Sequence, residues 1–109
     1  MTAEEFTSIS KECGFDCVEG GDKFIFIVLN CNRSYWFSYY GLKQNEIKIS
    51  RNVGIDMDEN RISPSGGIDS YSVVNLDKEY YRNRMLNLQK EIKKLKIKLK
   101  RNELEKDFI

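Results

Sequence analysis

The spacing of apolar positions changes character along the chain, and each change predicts an element. Phe6, Ile9 and Cys13 recur at helical spacing, Thr2 and Glu5 stand where a capping box puts them, and Gly14 sits where a helix stops. A short N-terminal helix is predicted over about residues 3–13. From Phe15 the period becomes two, and turn residues recur at hairpin spacing at 19–22, 30–32, 41–45 and 52–54. Strands are predicted near 15–18, 23–29, 34–40 and 46–51, joined as a meander. Phe24 through Leu29 is apolar on both faces, which predicts a central strand covered on both sides. Residues 52–67, with Gly54, Pro64, Gly66 and Gly67, predict a loop with room for a short hairpin, and alternation over 68–74 predicts a fifth strand. Asn75 or Asp77 can cap a final helix running to about residue 106, with Leu76 and Tyr81 placed as a hydrophobic staple. The expected fold is α+β: a short N-terminal helix, an antiparallel meander of about five strands, and a long amphipathic C-terminal helix. Residues 1–76 make the helix-and-sheet part, and 77–109 a helix of the same domain that can double as a coiled-coil dimerisation element.

Along that last helix, Tyr81, Met85, Leu88, Ile92, Leu95 and Leu99 keep the 4-3-4-3-4 spacing of a heptad seam. The seam has two uses. It can join two protomers into a homodimer, in which a parallel coil pairs Glu91 with Lys96 and Lys98 with Glu103 and an antiparallel one brings Glu91 near Lys98, or it can pack across the chain's own sheet. Both uses stay open, and they can coexist. Ile97, Leu104 and Phe108 form a second, thinner apolar stripe, expected to meet another surface.

Charge sharpens the interest in this helix. The chain carries 18 Lys and Arg against 17 Asp and Glu, for a net +1, but residues 1–76 sum to −4 and residues 77–109 to +5. Lys90, Lys93, Lys94, Lys100 and Arg101 fall on the side away from the seam. Such a stripe can neutralise nucleic-acid phosphates, and it is equally the solvated outer face of a coil. Residues 34–40 add a second candidate surface. Strict alternation puts Tyr35, Phe37 and Tyr39 on one face and Trp36 and Tyr40 on the other. One face belongs in the core. Tyr35, Trp36 and Tyr40, with Ile97 and Leu104, are the expected protein interface, because Tyr and Trp bury large area with few rotamers.

Catalytic and metal chemistry find little support. Without a single His there is no imidazole base, and three Cys cannot complete a zinc site or a disulfide framework, so Cys13, Cys17 and Cys31 read as reduced thiols. Asp56-Met57-Asp58-Glu59-Asn60 begins like a calcium loop, but Arg61 and Gly67 stand where Gly and Glu are needed. No catalytic residue, metal or cofactor is expected. No segment approaches the ~20 apolar residues of a bilayer span and no signal peptide is evident, so a cytoplasmic protein away from the membrane is expected.

Residues with A/T-rich codons (Phe, Tyr, Met, Ile, Asn, Lys) number 47 against 15 for Gly, Ala, Arg and Pro, which fits low-GC bacteria, their phages and their mobile elements. In size, composition, interaction surface and lack of catalytic residues the chain resembles the small phage or mobile-element inhibitor proteins, of which anti-CRISPR proteins are the best-known group. The resemblance implies a non-enzymatic inhibitor that binds a host protein or nucleoprotein in the bacterial cytoplasm. Many such inhibitors are acidic mimics of nucleic acid. The basic helix here instead favours blocking a protein surface or nucleic-acid channel, or tying effector copies together through a dimer. The alternative is a small nucleic-acid-binding or regulatory protein using the basic helix.

Overall fold

The computed structural model describes residues 1–21, 23–29 and 35–106, with side chains in the last helix described through Arg101. The elements run α1 (Ala3–Glu12), β1 (Asp16–Gly20), β2 (Phe24–Val28), β3 (Ser38–Gly41), β4 (Glu46–Asp56), β5 (Arg61–Ser72) and α2 (Lys78–Lys106). The strands form one antiparallel sheet in the order β1-β2-β3-β4-β5, so the fold is α+β with the predicted meander. The predicted turn at 30–32 and the thiol of Cys31 lie outside the described residues.

Local chemistry accounts for the helix ends. Thr2 and Glu5 make both bonds of the capping box, and α1 gives way to Gly14 at φ +89. Asp77 caps α2, its carboxylate accepting from the backbone N–H of Tyr80 at 3.1 Å. Leu76 and Tyr81, the predicted staple, are both buried in the core.

Both helices lie on one face of the sheet. α1 packs on β1 and β2, α2 on β4 and β5, and the helices touch each other. Phe6 and Ile9 from α1 meet Ile27, Phe37, Tyr40, Ile47 and Ile49 of the sheet region and Tyr81, Met85, Leu88 and Ile92 of α2. Burying aliphatic side chains of this size contributes about 1.5–3 kcal/mol each. At the centre sits a polar clamp: the Tyr81 hydroxyl lies 2.6 Å from Ser10 Oγ and donates to Ser38 Oγ at 3.3 Å, and Ser38 donates to the carbonyl of Lys48 at 3.0 Å. It ties α1, α2, β3 and β4 together where all three side chains are fully buried, and burial pushes the Tyr81 hydroxyl far above its ordinary pKa.

Three expectations need correcting. Residues 52–67 are mostly strand, not loop, because β4 and β5 continue as a long hairpin through the turn at 57–60. Asn60 supplies the left-handed conformation (φ 54), the Asp56 carboxylate accepts from the backbone N–H groups of Asp58 and Glu59, and Pro64 is tolerated because β5 is an edge strand. The calcium-like start at Asp56 is thus the tip of a hairpin. Second, β2 is covered on one face only, by α1; among the described residues no element lies over its other face. Third, the seam is not free over its whole length, and its first half takes the second of the two uses left open. Tyr81, Met85, Leu88 and Ile92 are spent on the chain's own core, because α2 needs its first apolar turns to close the sheet.

Beyond Ile92 the helix outruns the sheet. Its 29 residues extend about 43 Å in a molecule whose extents are 53, 27 and 23 Å, and beyond the sheet Leu95 and Leu99 are only half-buried and Ile97 is 58% exposed.

Candidate functional site

Directly paired residues of an antiparallel sheet point to the same face, so the register shows what the uncovered face carries. Val18, Phe26, Tyr39 and Lys48 form one row across β1 to β4, and Gly20, Phe24, Gly41 and Glu46 form the next. Trp36, just before β3, leans over the same face. The rings make a continuous cluster: Phe24 stacks on Tyr39 at 5.4 Å between centroids, Phe26 lies 5.6 Å from Tyr39, and Trp36 lies 5.6 Å from Tyr39 on its other side. All four are half-buried, shielded by one another and by no helix.

Two glycines make this packing possible. A Cβ on Gly20 would fall 2.5 Å from Phe26 Cε2, and one on Gly41 would fall 2.9 Å from the Tyr39 hydroxyl oxygen. Both rings therefore lie down across the sheet, one over each glycine. Trp36 stands as a ridge between two hollows. One, of about 280 Å³, is lined by Val18, Gly20, Phe26 and Val28; the other, of about 330 Å³, by Tyr35, Pro64, Ser65 and Ile68. A central aromatic anchor flanked by apolar hollows is the anatomy of a protein-binding hot spot.

The predicted site residues fall in different places. Trp36 is on this face. Tyr35 borders it, its hydroxyl donating to Asp56 at 2.5 Å while the Arg61 guanidinium lies 4.8 Å over its ring; the bond to Asp56 favours the protonated phenol and raises its pKa. Tyr40 does not belong to it. The strict alternation fails because β3 begins only at Ser38: Phe37 and Tyr40 both turn into the core, Tyr40 donates to the carbonyl of Met1, and Trp36 shares its face with Tyr39. Ile97 is exposed as expected, and the side chains of Leu104 and Phe108 lie outside those described. Phe24, Phe26 and Tyr39 are site residues that the spacing assigned elsewhere; the two-faced apolar run of β2 was their signal.

The helix side carries charge. Lys90, Lys93, Lys94, Lys100 and Arg101 are all exposed. At the root of this stripe lies a cluster that no motif announced. The Arg84 guanidinium reaches Asp69 at 3.2 Å, the Ser50 carbonyl at 3.3 Å, and the hydroxyls of Tyr71 and Tyr80 at 2.8 and 3.2 Å. Arg51 Nε donates to the other oxygen of Asp69 at 2.7 Å, and the two arginines hold the Asp69 carboxyl below its ordinary pKa, the Arg51 bond foremost. Tyr80 is lowered by its bond to Tyr71 and then by Arg84, whereas burial raises Tyr71. Cys13 and Cys17 are free thiols whose pKa values burial raises, unsuited to nucleophilic work. No helix among the described residues is long and apolar enough to cross a membrane.

No protein-family model, no curated protein and no solved structure matches this chain.

Proposed function

We propose that the chain is a non-enzymatic interaction protein that docks the open aromatic face of its sheet on a protein surface. The observation that supports this most is Trp36, standing half-buried over Tyr39 between two apolar hollows on a face that no element of the chain covers among the described residues. An aromatic ridge and a surrounding polar rim are what a partner with a complementary apolar patch requires. The composition and the resemblance to small phage or mobile-element inhibitors make the partner a host protein or nucleoprotein in the bacterial cytoplasm, and the action inhibition by occupancy. Self-association, where it contributes, falls to Leu95, Ile97 and Leu99 on the projecting end of α2, since the earlier seam residues are buried.

The second reading, nucleic-acid binding, draws on the exposed row from Lys90 to Arg101. The two separate in one experiment. Immobilised wild-type protein is compared with Trp36→Ala and with charge reversal at Lys93, Lys94, Lys100 and Arg101, using extract of a low-GC bacterium, nuclease-treated or not, with mass spectrometry of what is retained. The expected result is a protein captured by the wild type and the charge-reversed variant and lost from Trp36→Ala. Capture that survives Trp36→Ala but fails on charge reversal or nuclease treatment overturns the protein-contact reading in favour of nucleic acid.

A further inference from the structure

We infer that the cleft between the bulge in the β4–β5 pairing and the middle of α2 is a binding site for a phosphate group. The pairing of β4 with β5 breaks between Ser50 and Asn52, opposite Gly66 and Gly67, which adopt φ of +77 and +92. Next to this irregularity Arg51 and Asn52, with Arg84, Asn87, Leu88, Lys90 and Glu91 of the helix, line a hollow of about 330 Å³. That volume lies at the small end of ordinary ligand pockets.

The charge in the cleft is unbalanced. Arg51, Arg84 and Lys90 face two carboxylates, Asp69 and Glu91, and Glu91 is itself paired with Lys94 at 3.2 Å. Counting Lys94, four cations meet two anions. The donors also differ in freedom. Arg84 is immobilised by its bonds to Asp69, Ser50, Tyr71 and Tyr80. Arg51 commits only Nε, so its terminal amino groups keep their N–H bonds available among the described residues, and Lys90 has no ion pair among them. A guanidinium fork held at one edge by a carboxylate, a free ammonium and two side-chain amides suit a tetrahedral oxyanion. Neither the aromatic face nor its partner enters this inference.

The test is an NMR titration of the ¹⁵N-labelled protein with sodium phosphate at constant ionic strength against sodium chloride. It is repeated with an oligothymidylate carrying or lacking a 5′-phosphate. Phosphate should shift the amides of Arg51, Asn52, Asn87 and Glu91 at concentrations where chloride does not. Lys90→Gln, a change at an unpaired exposed side chain, should weaken phosphate binding several-fold, and Arg51→Gln with Lys90→Gln at least tenfold. Lys100→Gln with Arg101→Gln and Trp36→Ala should leave it unchanged. An oligonucleotide that binds the same residues tenfold more tightly than phosphate makes a nucleic-acid strand the source of the group; one that binds no more tightly makes it a small phosphorylated compound. Equal responses to phosphate and chloride, or affinity unaltered in Lys90→Gln and the double variant, overturn the site.

Discussion

Gly20 and Phe26 are fitted to each other: a Cβ on the glycine would fall 2.5 Å from Cε2 of the ring. The ring has no easy retreat, with Phe24 on one side at 6.1 Å and Tyr39 on another at 5.6 Å between centroids. Gly20→Ala is therefore expected to lift Phe26 off the sheet and cost about 1–3 kcal/mol, as overpacking does. Thermal melting reads the cost, and tryptophan fluorescence reads the disturbance passed through Tyr39 to Trp36. A variant with wild-type melting and an unmoved emission spectrum would show that the ring is not braced as described.

The split seam makes a second contrast. Ile92 is fully buried and Leu99 half-exposed seven residues later on the same helical stripe. Ile92→Asp should unfold the protomer or cost at least about 3 kcal/mol, since a carboxylate enters an apolar core. Leu99→Asp should leave circular dichroism and melting close to wild type. If the projecting end joins two copies, Leu99→Asp should also halve the particle mass in light scattering. Equal tolerance of the two substitutions would place Ile92 outside the core.

Much of this architecture was legible because it depends on local signals. Thr2 with Glu5, Gly14, Asp77, and the period-two runs each specify a local conformation, and a meander joins such pieces with short connections. What stayed hidden depended on partners far along the chain. That Tyr81, Met85, Leu88 and Ile92 face the sheet and not a second copy is decided by where β4 and β5 lie, since the heptad spacing suits both. The alternation from Tyr35 to Tyr40 misled because a strand start that slips past Phe37 changes which ring shares a face with which. The Arg84, Arg51 and Asp69 cluster joins residues 15 to 33 positions apart, a spacing that no short motif encodes.

Asp69 supplies an acid-sensitive test of that cluster. Its carboxyl is held below its ordinary pKa, first by Arg51 and also by Arg84, so its stabilising contribution is complete above the ordinary carboxylate value and is lost as the pH falls through the lowered one. The melting temperature of the wild type should therefore fall more steeply on acidification than that of Asp69→Asn, the two curves drawing together at the acid end. Parallel curves would show that the arginines do not hold the charged form.

Tyr81 gives the opposite sign at the alkaline end. Its hydroxyl is buried and bonded to Ser10 and Ser38, and its folded pKa is raised, so the stabilisation is fully present below the ordinary tyrosine value of about 10 and is lost as the pH climbs toward the raised one. Tyr81→Phe deletes the hub of the clamp and takes one bond from each serine, while Ser10 still donates to the Phe6 carbonyl and Ser38 to that of Lys48, which should cost about 1–2 kcal/mol at neutral pH. The same substitution should flatten the alkaline fall in stability, because the other tyrosines are common to both proteins and only Tyr81 differs. Denaturant melts of the two proteins between neutral pH and the onset of alkaline unfolding measure both effects, and a stability gap that does not narrow as the pH rises would contradict the role of the buried hydroxyl.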